Sequence, residues 1–145
     1  MNAELLAIAG VLSLLASFCH VLVVVGGPRW YRFFGAGEAM TVMAEKGSVK
    51  PTIITLCIAA VLFVWFLYAC SGAGYLPALP FLKTVLSVIT ALYLIRGVGG
   101  IMAPLISDHP KIKQNSLSFW LWSSTICLVI GGLHLVGLLA IWHTL

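Results

Sequence analysis

The chain has 145 residues, of which 61% are hydrophobic and 8% charged, and its mean hydropathy is +1.10. That leaves too little polar surface to cover a water-soluble globule, so lipid is the solvent this sequence is built for. The formal charge of +4 resides in short loops with no recognition helix or aromatic platform, which excludes nucleic acid as a partner and favours anionic lipid headgroups.

Four apolar stretches, about 3–25, 51–71, 80–106 and 117–143, are each long enough to cross a hydrocarbon core about 30 Å thick at a rise of about 1.5 Å per residue. They predict an all-α, four-transmembrane-helix bundle with residues 1–145 as one integral-membrane domain. No Lys or Arg precedes the first stretch, and Gly26, Gly27 and Pro28 make a poor cleavage context, so it is read as a retained helix rather than a signal. Gly10, Ser13, Ser17 and His20 recur along one face of it, a small polar stripe suited to a helix contact or a narrow polar path.

The segment from Gly26 to Lys50 alternates cations with aromatics: Arg29, Trp30, Tyr31, Arg32, Phe33 and Phe34 belong at a lipid–water boundary. From Glu38 to Lys46 the pattern permits a short interfacial helix, with Met40 and Met43 on an apolar side. Pro51 suits the first turn of the second span. Ser71 to Pro80 forms a tight connection that predicts the second and third spans as antiparallel neighbours.

In the third span Gly97, Gly99, Gly100 and Pro104 cluster towards its end. Two outcomes are open: a kinked or unwound helix lining a wet cavity, or, the preferred reading, glycines that let another helix come close. Asp108, His109 and Pro110 form the next turn, and Ser116 or Ser118 is placed to cap the fourth span.

Basic residues fix an expected orientation. Arg29, Arg32, Lys46 and Lys50 fall in one loop and Lys111 and Lys113 in another, while the ends and the Ser71–Leu79 loop carry none. The positive-inside rule then puts both loops in the cytoplasm and both termini outside, in a bacterial-type inner membrane. Lys83 is expected near the outer surface with its ammonium among headgroups.

Polar groups within the spans are the candidates for function, because burying them in hydrocarbon is costly unless they are paired or hydrated. Arg96 leads, since an arginine at that depth costs about 2.5 to 3.5 kcal/mol on insertion scales and calls for a partner. His20 lies at a similar depth, Ser17 and Ser124 are near the same level, and Glu38 is close enough in sequence to the boundary to fold back as a counter-charge. These five residues define the expected pocket, in the cytoplasmic half, for an anionic headgroup or a small anion. The fourth span carries Trp120, Ser124, Cys127, Gly131 and His134 on one face. A polar path from His134 would run through Thr90 and Tyr93.

In size the chain is similar to small multidrug transporters, but these carry a membrane-embedded glutamate in the first helix where this chain has His20. Quinone-linked thiol oxidoreductases of similar size need paired cysteines, whereas Cys19, Cys57, Cys70 and Cys127 are scattered, with no Cys-x-x-Cys pair and no histidine spaced to complete a zinc site. No metal or cofactor is therefore expected. No nucleophile elbow, phosphate loop or dinucleotide fingerprint is present, which favours a non-enzymatic binding or transport protein. The alternatives are an accessory or assembly subunit packed against itself or a larger membrane partner, and a lipid-modifying enzyme using His20 and Glu38 as acid and base.

Overall fold

A computed structural model describes residues 2–144. It is all helical: α1 (Asn2–Gly26), α2 (Pro28–Phe33), α3 (Glu38–Glu45), α4 (Lys50–Gly72), α5 (Leu82–Ile106), α6 (Pro110–Lys113) and α7 (Leu117–Ile141). Four of these, α1, α4, α5 and α7, are long and apolar enough to cross a membrane. The predicted interfacial helix is α3. A second short helix, α2, precedes it, with Pro28 at its start, where a missing N–H removes nothing.

The bundle is the reverse of a soluble one. Large apolar side chains such as Leu15, Phe18, Ile53, Ile95 and Leu139 are exposed around its outside, while many interior positions hold small or hydroxylated residues. Lipid tails are as apolar as leucine, so close backbone approach and interhelical hydrogen bonds hold such helices together. Gly10 lies where an added Cβ would come within 2.9 Å of the Ala69 Cβ, and Gly137 where it would meet the Leu6 backbone nitrogen at 2.8 Å. Those two contacts close α1 onto α4 and α7.

This pattern qualifies the expected pairing. Helices α4 and α5 are joined by a short loop and touch, yet α4 packs chiefly on α1, and α5 chiefly on α7. The loop itself is secured by Ser71, whose hydroxyl donates to the Pro77 carbonyl at 2.8 Å and accepts from the Leu79 N–H at 3.1 Å. Helices α1 and α5 face each other across a diagonal. The unwound third span is not found: α5 is continuous through Gly97, Gly99 and Gly100, with Pro104 inside its last turn. Gly97 is instead a point of close approach, where an added Cβ would come within 2.6 Å of the Leu128 side chain on α7.

At the end of the bundle that carries both basic loops, Gly35 packs on Phe119 and Gly37 on Asn115, so the α2–α3 segment lies against the start of α7. Tyr31 is buried and donates to the Thr55 hydroxyl at 3.1 Å, pinning α2 to α4. Ser116 caps α7 by accepting from the Phe119 N–H at 3.1 Å. Lys83 lies at the end opposite the basic loops, where its ammonium donates to the Trp142 carbonyl at 2.9 Å and lies 4.1 Å from that indole's centroid. The carbonyls at the end of α7 lack helical partners and suit a cation.

Candidate functional site

The α5–α7 seam brings together the groups of most chemical interest. Arg96 lies ten residues before the end of α5, or about 15 Å along the axis. Its guanidinium reaches one turn towards the basic end, because the space beside Gly100 that a Cβ would occupy is filled by Arg96 Nη1 and Ser124 Oγ. There Nη1 donates to Ser124 Oγ and Nη2 to Ser123 Oγ, both at 3.2 Å. The Trp120 ring stands 5.2 Å from the guanidinium carbon. Ser123 in turn donates to the Trp120 carbonyl at 3.4 Å, which leaves its lone pairs to the arginine.

Among the described residues, no carboxylate pairs with this cation. The chain has four acids. Glu45 pairs with Arg32 at 2.6 Å and Asp108 with Lys113 at 3.0 Å, both at the surface. Glu4 stands in the first turn of α1 at the opposite end of the bundle. Glu38 is exposed and, among the described residues, meets neither Arg96 nor His20. The guanidinium is thus hydrogen-bonded on its protein side and uncompensated in charge, and the neighbours that flank its exposed edge on α5, Ile95 and Val98, are exposed apolar residues.

Of the five residues expected to share a pocket, Arg96 and Ser124 come together. Half-buried His20 turns back on its own helix, its Nδ1–H donating to the Ala16 carbonyl at 2.7 Å. Ser17 faces α4, donating to the Ala59 carbonyl at 2.7 Å. Both belong to α1, diagonal to α5, which is why equal depth did not bring them to Arg96. Acid–base work by His20 with Glu38 finds no geometric support. Three residues complete the site that sequence reasoning did not assign to it: Ser123, Trp120 and Gly100. The Trp120–Ser124 spacing of one turn was the available signal; Ser123, three residues from Trp120, borders the same stripe, and the forked guanidinium reaches both serines.

A second polar group lies deeper, at the junction of α1, α5 and α7. Tyr93 and Ser13 hydroxyls meet at 2.8 Å, and Ser13 donates to the Ala9 carbonyl at 3.0 Å, so the tyrosine is the donor between them. The His134 ring stacks on Tyr93 with centroids 5.6 Å apart and planes 22° apart, and the Trp65 ring meets Tyr93 edge-on at 4.9 Å. His134 is fully buried, and neither ring nitrogen has a hydrogen-bond partner. Thr90 does not extend a path, since its hydroxyl is committed to the Leu86 carbonyl at 2.8 Å.

The interfacial residues take separate positions. Arg29, Trp30 and Phe33 are exposed, Phe33 at 82%, while Phe34 is half-buried and packs edge-on against Phe33 at 5.2 Å. Arg32 is tied to Glu45. No family model, curated protein or solved structure matches the chain.

Proposed function

We propose that this four-span membrane protein binds, and carries or presents, an anionic group at the Arg96 guanidinium. The ligand chemistry is a tetrahedral oxyanion, either the phosphate of a lipid headgroup or a small free anion. One observation carries this reading: a guanidinium within a span, oriented by Ser123 and Ser124 and flanked by Trp120, has no carboxylate partner among the described residues. A lone cation among apolar side chains is stabilised by an anion brought to it, and Arg presents donors in a fork that fits such an anion. The proposed setting is a bacterial-type inner membrane with both termini outside and the basic loops in the cytoplasm, among anionic headgroups.

The test is binding to purified protein, with sulfate in detergent as one arm and phosphatidylglycerol in nanodiscs as the other, read from Trp120 fluorescence. Replacing Arg96 by Gln is expected to weaken whichever arm binds by about ten- to a hundredfold, the worth of hydrogen bonds to a charged group. Arg96→Lys is expected to fall between, having charge without the fork. Unchanged affinity in Arg96→Gln overturns the assignment and leaves an anchored helical scaffold. Reporter fusions at both termini test the orientation.

A further inference from the structure

Among the described residues, the buried hydroxyls of the bundle core each have a partner, whereas the His134 imidazole has none. Ser13, Ser17, Thr90 and Ser124 are each hydrogen-bonded, whereas the imidazole is fully enclosed with both nitrogens unpaired. A leucine or phenylalanine would fill an apolar junction without that penalty, so a histidine here needs a reason beyond packing. Its place is also constrained. Gly131 and Gly137 bracket it by three residues on either side, and an added Cβ at these positions would meet Tyr93 at 3.0 Å and Leu6 at 2.8 Å respectively. Helix α7 is thus pressed onto α5 and α1 on both sides of the imidazole, which is held in the seam.

That seam is the one that carries Arg96. Tyr93, on which His134 stacks, lies one turn before Arg96 on α5, and His134 lies ten residues beyond Ser124 on α7, or about 15 Å along the helix. Few other ionisable groups are near: Tyr93 from α5, Cys127 two turns back on α7, and Tyr68 from α4, whose hydroxyl is committed to the Pro80 carbonyl at 3.2 Å. Helix α1 offers only the Ser13 hydroxyl at this level. Lys83 is held at the far end of α7 by Trp142.

We infer that His134 is the proton-binding site of the bundle and that its proton and the anion at Arg96 bind cooperatively. The inference rests on the proposed anion site. Without an anion, protonating buried His134 would add a second cation to the α5–α7 pair, whose exposed edge already carries Arg96; an anion at Arg96 offsets part of that repulsion. Reciprocally, a protonated imidazole strengthens the field that attracts the anion, because coupling between two sites is mutual. Two unit charges about 15 Å apart, at an effective dielectric of about 20, change each other's binding by roughly sixfold. The sign follows: the protonated form binds the anion more tightly, so affinity falls as pH rises through the histidine's titration. Such linkage is what a proton-coupled anion carrier requires.

Calorimetric titration of the reconstituted protein with sulfate or phosphatidylglycerol, neither of which titrates between pH 5 and pH 8, tests this. Repeating it in two buffers of different ionisation heat counts protons taken up. The expected result is proton uptake on binding and an affinity about sixfold higher at low than at high pH. In His134→Gln and in His134→Phe, the second chosen to preserve packing, binding is retained but becomes pH-independent and proton-silent. His20→Gln leaves both effects in place. Anion binding in wild type without proton uptake, or uptake that survives in a folded His134 variant, overturns the coupling while leaving the Arg96 site standing. Absence of anion binding at every pH overturns the site and the coupling together.

Discussion

The Tyr93 hydroxyl donates to Ser13 across the diagonal of the bundle, linking α5 to α1, two helices whose backbones do not come close. Each of these helices packs on a different neighbour, so this bond joins the α1–α4 pair to the α5–α7 pair inside the core. Tyr93→Phe keeps the ring that Trp65 and His134 contact and removes the donor alone. Ser13 retains its bond to the Ala9 carbonyl, so no buried group is orphaned. The expected loss is about 0.6 kcal/mol, the average for interhelical hydrogen bonds in membrane proteins. Reversible unfolding in bicelles measures it, and Ser13→Ala combined with Tyr93→Phe should cost no more than the larger single change.

Gly97 and Gly100 sit one turn apart on α5 and should separate stability from binding. At Gly100 a methyl group would collide with the Arg96 guanidinium and the Ser124 hydroxyl, the movable ends of side chains. Alanine also gains up to about 1 kcal/mol of helix propensity over glycine. Gly100→Ala is therefore expected to leave thermal stability unchanged or higher while lowering anion affinity as Arg96→Gln does. At Gly97 the methyl would meet Leu128, including its backbone nitrogen at 3.1 Å, so the helices themselves must part. Gly97→Ala should cost about 1 to 3 kcal/mol in unfolding measurements, as overpacking does.

The spans were legible because apolar length is a local property and lipid fixes how much of it is needed. Helix α2 was not, since Pro28 to Phe33 reads as boundary composition and the contact that pins it, Tyr31 to Thr55 on α4, joins residues 24 apart. Partner choice was hidden as well. Small residues occur on every span, and only the fold decides that Gly10 meets Ala69 and Gly137 meets Leu6. Depth was readable for His20 and Arg96, but depth says nothing of angle around the bundle, and the two proved to lie on diagonal helices. The shared stripe of Trp120 and Ser124 was visible; that Ser123 at its border would serve the same guanidinium was not, because spacing does not say which donor of a forked side chain reaches which hydroxyl.

Gly137 tests the packing that encloses His134. An added Cβ there would lie 2.8 Å from the Leu6 backbone nitrogen and 3.1 Å from its Cα, atoms that cannot rotate away. Gly137→Ala is expected to lose about 1 to 3 kcal/mol and to admit water to the junction of α1 and α7. The direct measurement is solvent labelling of a cysteine placed at Ala9, which is fully buried in the native protein. Faster labelling in the Gly137→Ala background than in wild type is the expected outcome; equal rates would show that the seam accommodates the methyl group.

Lys83 offers a test at the opposite end from the basic loops. Its ammonium meets both the Trp142 carbonyl and the Trp142 ring, just past the last turn of α7, where the carbonyls lack helical partners. A cation in this position also opposes the negative end of the helix dipole, worth about 0.3 to 1 kcal/mol. Lys83→Met keeps an unbranched side chain of similar length and removes the charge and the donor. It is expected to fray the last turn of α7, with faster amide exchange at Trp142 and Thr144, whose N–H groups bond to Leu139 and Ile141. Lys83→Arg should restore slow exchange, since the guanidinium supplies both the hydrogen bond and the contact with the indole face. Because Lys83 belongs to α5 and Trp142 follows α7, the same substitution should loosen the end of the seam far from Arg96; Lys83 and Gly97 share no partner, so the double variant with Gly97→Ala should lose the sum of the two changes to within about 0.5 kcal/mol.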